Sequence, residues 1–177
     1  MRDKLIMMRG LPGSGKSTTA EKLKEIHLPV YRRVDIFSTD DFWGKPYNFV
    51  PAKIREAHLW NQNRALMAMI EQQAACYRGV GVLPGYSLDT PACIIIDNTN
   101  VGAYELRPYI KPAYMLGYEI EIMEPQTPWA FDVEECAKRN THGVPLASIL
   151  GMLNRWDKDV TVEQCLVAKA PWEKSAA

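Results

Sequence analysis

One glycine-rich stretch decides the fold of this chain: Gly10-Leu11-Pro12-Gly13-Ser14-Gly15-Lys16-Ser17. It fits the pattern G-x-x-x-x-G-K-[ST]. Residues 5–8 before it are an apolar run of strand length, and residues 16–26 after it have apolar side chains at three-residue steps, as in a helix. Successive backbone N–H groups and the positive end of the helix would bind a phosphate there. The stretch therefore predicts a strand, a phosphate-binding loop and a helix, in that order.

The same stretch predicts how a nucleoside triphosphate is bound. In this pattern the lysine reaches the β- and γ-phosphates and the following hydroxyl ligates Mg²⁺, which assigns these tasks to Lys16 and Ser17. The residues expected around the phosphates are Gly13, Ser14, Gly15, Lys16, Ser17 and Thr18. ATP and Mg²⁺ are the expected cofactors. The alternative is a glycine-rich turn that precedes an ordinary helix.

Strand and helix patterns alternate along the remaining chain. They predict strands at residues 34–38, 92–96 and 119–123, helices at 51–77, 103–116, 128–139 and 145–156, and a last strand from Val160. Pro108 and Pro112 weaken the helix pattern at 103–116. This alternation predicts an α/β fold with a mostly parallel sheet and helices on both faces.

Residues 79–91 contain three glycines and two prolines without periodicity, which predicts a long loop. Because it leads into a parallel strand, we expect it at the amino ends of the strands, opposite the phosphate site and without a catalytic role. A role in self-association, and hence an oligomer, stays open.

Aspartates follow two of the predicted strands, where the sheet would bind ligands. Asp97 ends an apolar strand and is expected to complete the metal site behind Ser17, although Asp-Asn-Thr-Asn also suits a strand-ending turn. Asp40 and Asp41 end the second strand, and Asp40 is predicted to be the base that orients an acceptor hydroxyl and takes its proton. Alternatively, these aspartates cap the next segment.

A polar stretch between two predicted helices, Lys138-Arg139-Asn140-Thr141-His142-Gly143, is predicted to be part of a small lid at about residues 138–145. Closing it would bring Arg139 onto the phosphates, where a cation stabilises developing charge. The alternative is a solvated helix end whose basic residues face the helix dipole. Arg155 is a weaker candidate for the same task.

Aromatic residues are frequent on the expected acceptor side: Trp43, Tyr47, Phe49 and Trp60. They could stack on a base, but packing within the protein is the favoured interpretation. His58 could contact a substrate or pack on its helix.

Several motifs occur in the order found in a known family. They are residues 10–18, Ser38-Thr39-Asp40-Asp41-Phe42, residues 57–65, Ile96-Asp97-Asn98-Thr99-Asn100, Lys138-Arg139-Asn140-Thr141-His142-Gly143-Val144-Pro145 and residues 159–162. With them the chain resembles the polynucleotide-kinase-like P-loop kinases, a group that includes AAA-type ATP-binding and zeta-toxin-related small kinases, and it is most similar to small stand-alone homologues. The resemblance covers nearly the whole chain. It implies an adenylate-kinase-like fold, transfer from ATP–Mg²⁺ to a hydroxyl, Asp40 as general base and Arg139 as the lid arginine.

Composition sets further limits. The 177 residues include 21 basic and 21 acidic side chains, which excludes a strongly basic coat for nucleic acid. No apolar run approaches the ~18 residues of a membrane span, and the first residues lack a signal-peptide core. The cysteines at 76, 93, 136 and 165 form no close pair and are expected to be free thiols. We therefore expect a cytoplasmic protein without membrane contact.

The sequence thus predicts one P-loop kinase domain over residues 1–177, which transfers the γ-phosphoryl group of ATP to a hydroxyl of a nucleic-acid end or a nucleotide. Two alternatives stay open. The kinases that it resembles often carry an arginine shortly after the Asp-Asp pair, whereas this chain has Trp43. That difference favours a small-molecule kinase acting on a nucleoside, sugar or antibiotic. The other alternative is a nucleotide-gated binding protein with little turnover.

Overall fold

The computed structural model describes residues 1–78 and 91–176. The strands in this part of the chain are β1 (Lys4–Met8), β2 (Arg33–Phe37), β3 (Ala92–Asp97) and β4 (Glu119–Met123). The helices are α1 (Lys16–His27), α2 (Ile54–Arg78), α3 (Ala103–Met115), α4 (Val133–Arg139), α5 (Leu146–Asn154) and α6 (Val162–Val167). Short 3₁₀ turns occupy Thr39–Trp43, Pro51–Lys53 and Pro171–Ala176.

The described strands form one parallel sheet in the order β2-β3-β1-β4. In its register Met8 lies beside Asp97, and Phe37 lies beside Ile96. The carboxyl ends of β1, β2 and β3 are therefore nearly level. The chain continues from these ends into the glycine-rich loop, the Thr39–Trp43 turn and the segment after Asp97, so three polar segments share one edge of the sheet.

Alternate side chains of β1 enter two different cores. Leu5 and Met7 belong to the core that α2, α3 and α6 cover, whereas Ile6 and Met8 belong to the core beneath α1. Successive strand residues point to opposite faces, so a strand buried on both faces must be apolar throughout. Each such buried side chain contributes about 1.5–3 kcal/mol to folding. The continuous apolar run before the glycine-rich loop thus holds that loop at the centre of the sheet.

A smaller third cluster joins the glycine-rich loop to the predicted lid region. Leu11 of the loop, Cys136 of α4 and Ile149 of α5 are fully buried against one another. The two helices on either side of residues 140–145 are therefore anchored on the phosphate loop itself.

The predicted elements are confirmed to within three residues at each end, with two exceptions. The helix predicted from residue 128 begins at Val133, because the Asp132 side chain caps it by accepting hydrogen bonds from the backbone N–H groups of Glu134 and Glu135, both at 3.0 Å. The strand predicted from Val160 is wrong, because Val162–Val167 is the helix α6. Thr161 and Gln164 form a capping box at its start, which favours a helix over a strand.

Three further expectations concern the rest of the chain. Residues 79–90 of the predicted loop lie outside the described residues, as does the Cys76 side chain. The thiols of Cys93, Cys136 and Cys165 are free and buried, as predicted. None of the described helices is both long enough and apolar enough to cross a membrane.

Candidate active site

The glycine-rich loop between β1 and α1 has the backbone shape that a phosphate site requires. Gly13 and Gly15 have φ angles of +82° and +98°, in the left-handed region that glycine enters without steric cost. A Cβ at Gly10 would lie 2.6 Å from Ser14 Oγ. That hydroxyl is buried and has no hydrogen-bond partner among the described residues. Buried hydroxyls normally have a partner, so its orphaned state fits a loop that receives an anion.

Lys16 is buried at the centre of this site. Its Nζ donates a hydrogen bond to the carbonyl oxygen of Leu11 at 2.9 Å. Burial lowers the pKa of the Lys16 ammonium, and the negative charges of Asp97 and Asp40 oppose that shift. Both predicted carboxylates therefore lie close enough to Lys16 to act on it electrostatically.

Asp97 and Ser17 meet at the carboxyl end of β3. Burial raises the pKa of the Asp97 carboxyl, while a hydrogen bond from Ser17 and the charge of Lys16 oppose the shift. The other oxygen, Asp97 Oδ1, is buried without a hydrogen-bond partner among the described residues. A carboxylate and a hydroxyl are hard oxygen ligands, and Mg²⁺ commonly takes only one or two such groups together with water and phosphate oxygens. These two side chains therefore fit Mg²⁺, although no cluster of three or more His, Cys, Asp or Glu occurs in residues 1–78 and 91–176.

The Thr39–Trp43 turn carries Asp40 and is fixed to the end of β3. The backbone N–H of Thr39 donates to Asn98 Oδ1 at 2.9 Å, and Asn98 in turn donates to the Tyr109 hydroxyl at 3.1 Å. Ser38 caps the turn by accepting from the Asp40 N–H at 3.2 Å. Since its backbone is fixed in this way, the exposed Asp40 carboxylate is held beside the phosphate loop.

Asp41 has a different partner from the one expected. Instead of capping a helix, its Oδ2 accepts a hydrogen bond from Arg64 Nη1 of α2 at 3.1 Å. The Arg64 guanidinium also lies over the ring of Trp60, 4.1 Å from the centroid. Sequence reasoning missed this arginine, and its spacing from Asp41 gives no local signal for it. The acceptor side therefore has a cation that α2 supplies.

The predicted aromatic set mostly packs within the protein. Trp43 is buried and makes edge contacts with Phe42 and Phe49 at centroid distances of 5.0 Å. Trp60 contacts Phe42 in the same way at 5.6 Å. The favoured interpretation, packing, is confirmed for Trp43, whereas Phe49 is 47% exposed and Trp60 is partly exposed. Tyr47 differs, because its hydroxyl donates to Asp40 Oδ1 at 3.1 Å.

Arg139 lies at the end of α4 and contacts the ring of Trp129, which in turn contacts the phosphate loop. Its guanidinium is 4.0 Å from the centroid of Trp129 and pairs with Glu135 at 3.2 Å. Trp129 Nε1 donates to the carbonyl oxygen of Gly13 at 3.3 Å. The arginine is therefore next to the predicted site, but paired with a carboxylate of its own helix.

The two weaker candidates lie apart from this group. His58 Nδ1 is 3.5 Å from Thr39 Oγ1, so His58 contacts the turn that carries Asp40. Arg155 lines a cavity of ≈ 300 Å³ beside the start of α3, together with Tyr104 and Glu105. Of the sequence-predicted residues, the structure thus brings together Lys16, Ser17, Asp40 and Asp97, with Arg139 at the margin.

Comparison with known proteins gives the same fold. A family model described as AAA domain matches residues 5–158. NEDD4-binding protein 2 of Homo sapiens is 36% identical over 169 residues, which is 94% of this chain but 8% of that protein's length. A chain of the Pnkp1/Rnl/Hen1 complex matches with a TM-score of 0.50 and 21% identity over 78% of this chain and 39% of its own length. Kti12 of Chaetomium thermophilum, solved with ADP-AlF3, matches with a TM-score of 0.53 and 16% identity over 87% and 80% of the two chains. The predicted α/β P-loop fold is therefore confirmed.

Proposed function

The chain belongs to the AAA domain family, whose model spans residues 5–158, and on that premise we propose that it is an ATP-dependent kinase acting on a hydroxyl of a nucleic-acid end or a nucleotide. One observation carries this proposal. Lys16 after β1, Asp40 after β2 and Asp97 at the end of β3 meet at one edge of the sheet, and the charges of both carboxylates act on Lys16.

The donor side of the reaction belongs to the phosphate loop. Residues 13–18 would bind the phosphates of ATP through backbone N–H groups, Lys16 and the hydroxyl side chains. Ser17 and Asp97 would hold Mg²⁺, which when bound neutralises charge on the phosphates. Arg139 would leave Glu135 and stabilise the charge that develops on the transferring group. Residues 138–145 would form the lid that brings Arg139 to the phosphates.

The acceptor side belongs to Asp40. Its carboxylate accepts the proton of the acceptor hydroxyl while that oxygen bonds to the γ-phosphorus, and the bond from the γ-phosphorus to the bridging oxygen breaks to release ADP. Asp40 suits this task because it is exposed, whereas Asp97 is buried behind the loop.

A second candidate is a kinase for small hydroxyl compounds. The position where a cation could follow the Asp-Asp pair holds Trp43, which is 7% exposed and packed between aromatic rings. The arginine present nearby, Arg64, is already paired with Asp41. This arrangement favours an acceptor with little negative charge.

The test is transfer from labelled ATP to two panels of acceptors, namely 5′-hydroxyl oligonucleotides on one side and nucleosides and sugars on the other. We expect Asp40→Asn to lower transfer by about 10²–10⁴-fold with ATP affinity unchanged, because the base acts only on the acceptor. Asp35→Asn is the matched control, since Asp35 lies on β2 and pairs with Arg33. Unchanged transfer by Asp40→Asn would contradict the proposal. Transfer to sugars alone would favour the second candidate.

A further inference from the structure

Two side chains that are far apart in the sequence meet on the carboxylate of Asp40. The Tyr47 hydroxyl donates to Oδ1 at 3.1 Å, and His142 Nε2 lies 3.6 Å from Oδ2. The two rings also contact each other, with centroids 4.4 Å apart. Both oxygens of the proposed base thus have a neighbour, Tyr47 from the loop after the Thr39–Trp43 turn and His142 from the segment after α4.

His142 is placed by a turn of defined shape. Asn140 Oδ1 accepts from the Val144 N–H at 2.7 Å, and Asn140 Nδ2 donates to the carbonyl oxygen of Ala137 at 2.7 Å. Gly143 completes the turn with a φ angle of +65°. Since α4 before this turn is anchored on the phosphate loop, His142 stands at the tip of a braced segment rather than at the end of a free one.

Tyr47 is placed by the aromatic packing on the opposite side. The backbone N–H of Asn48 donates to the carbonyl oxygen of Trp43 at 3.4 Å, and Trp43 packs against Phe49. This closes residues 43–49 into a compact loop whose Tyr47 side chain points at Asp40. Burial and the negative charge of Asp40 raise the pKa of Tyr47, so its hydroxyl remains a donor at physiological pH.

The two contacts differ in kind. The contact to Oδ1 has hydrogen-bond length, whereas 3.6 Å to Oδ2 is longer than a hydrogen bond. An acceptor hydroxyl that approaches Asp40 can therefore reach Oδ2 if the imidazole moves, whereas one acceptor site of Oδ1 is already occupied by the Tyr47 hydrogen bond.

Building on the proposed function, we infer that Tyr47 is a positioning residue that fixes the Asp40 carboxylate through Oδ1, and that His142 is a movable cover on Oδ2 which the acceptor displaces. In this arrangement His142 lies beside one oxygen of a carboxylate that stays 49% exposed, so an acceptor can approach Oδ2 and displace the imidazole. The position of the lid segment therefore changes when the acceptor binds as well as when the nucleotide binds.

The kinetic test compares three variants under the acceptor conditions above. We expect Tyr47→Phe, which keeps the ring but removes the donor, to lower kcat about tenfold with an unchanged KM for ATP. We expect His142→Ala to lower the acceptor KM several-fold, because the acceptor then has no imidazole to displace from Oδ2. His142→Gln should bring the acceptor KM back towards the original value, because its amide can still contact the oxygen. His27→Ala, at the end of α1, is the control.

A second measurement is independent of turnover. The chain has three histidines, so the imidazole proton signals can be assigned by single substitutions in NMR spectra. Tyr47→Ala should shift the His142 signal, because the ring current of Tyr47 is lost, and leave His27 unchanged. A bound acceptor should shift the His142 signal in the wild-type chain.

The outcomes separate the two proposals. If Asp40→Asn leaves transfer intact, the proposed function fails. If Asp40→Asn abolishes transfer while Tyr47→Phe and His142→Ala behave like wild type, only the role of these two residues is overturned. If Tyr47→Ala leaves the His142 signal unchanged, the role of these two residues is overturned as well, whether or not any acceptor is found.

Discussion

Gly13 is the residue at which the phosphate loop and α4 meet most closely. A Cβ there would lie 2.1 Å from the carbonyl oxygen of Cys136 and 2.9 Å from the backbone nitrogen of Asn140. Both are backbone atoms, so neither can yield by a side-chain rotation. The loop therefore cannot accept a larger residue unless α4 shifts away from it.

We expect Gly13→Ala to destabilise the protein by more than about 3 kcal/mol, because the strain of a positive φ angle adds to this clash. Gly117→Ala is the matched control. Gly117 has a φ angle of +77° but open space around its Cβ position, so only the conformational cost of about 1–2 kcal/mol applies. Thermal unfolding measures both variants, and calorimetry with ATP should detect at least tenfold weaker binding by Gly13→Ala. Equal unfolding of the two variants would contradict the close approach of α4.

Individual site residues differ in how far the sequence could predict them. Asp97 ends an apolar strand, and Lys16 follows another apolar strand and the glycine-rich loop. A local pattern is therefore enough to place both at the carboxyl edge of a parallel sheet. The sequence placed Tyr47 on the acceptor side and His142 in the lid, but their contacts with Asp40 depend on how the loop and the lid segment pack. Arg64 reaches Asp41 from α2, and no local pattern predicts that contact.

At the scale of elements, α3 is a helix that local preference opposes. Pro108 and Pro112 both lie inside it and lack the N–H of the helical hydrogen bond. Four of its side chains, Leu106, Tyr109, Ile110 and Ala113, are buried in the core beneath α2 and α6. Tertiary packing of that face outweighs the propensity of the two prolines.

Replacing one of these prolines should therefore stabilise the protein. Pro108 is exposed, so Pro108→Ala removes no core contact and restores a backbone donor within α3. A helix-interior proline costs about 3 kcal/mol relative to alanine, while the more flexible unfolded chain recovers about 0.4–1 kcal/mol of that. We expect a net gain of about 2–2.6 kcal/mol, seen as a rise in Tm of roughly 4–10 °C. Lys111→Ala, exposed on the same helix, should change Tm little. A lower Tm for Pro108→Ala would mean that α3 depends on the fixed proline geometry.

The two elements that were predicted wrongly share one cause. Asp132 before α4 and Thr161 before α6 are both N-caps, and each has an acidic or amide residue three positions later, Glu135 and Gln164. That signal was present in the sequence, but proline at 128 and the β-branched residues 160–162 suggested an earlier helix start and a strand. The caps determined where these helices begin, because both helices are too short for their apolar periodicity to indicate the start.

At the scale of the whole molecule, one buried arginine joins segments that the sheet order leaves apart. Arg9 is 1% exposed and donates to the carbonyl oxygens of Asn100, Val101 and Asp157 at 2.8–3.0 Å. It also pairs with Glu124 after β4 and lies 4.3 Å from the ring centroid of Trp156. The end of β1 is thus tied to the segments that follow β3, β4 and α5. An alternating strand–helix pattern predicts the sheet, but it contains no information on this connection.

Arg9→Met should test how much of the stability depends on this connection. The substitution keeps an apolar side chain beside Trp156, yet it removes the Arg9 donor from the buried carbonyl oxygen of Asn100, from the partly buried carbonyl oxygen of Asp157 and from Glu124, while Val101 O still accepts from the Asp157 N–H. We expect a loss of about 2–4 kcal/mol. Arg107→Met is the control, because Arg107 also bonds a carbonyl oxygen and a carboxylate, those of Ala168 and Glu173, but its side chain is one-third exposed. Its loss should stay at or below about 1 kcal/mol, since water replaces the missing donor. Urea unfolding gives both free energies. Equal losses would mean that the Arg9 connection contributes no more than a surface ion pair, and that the sheet alone determines how the segments after β3, β4 and α5 are assembled.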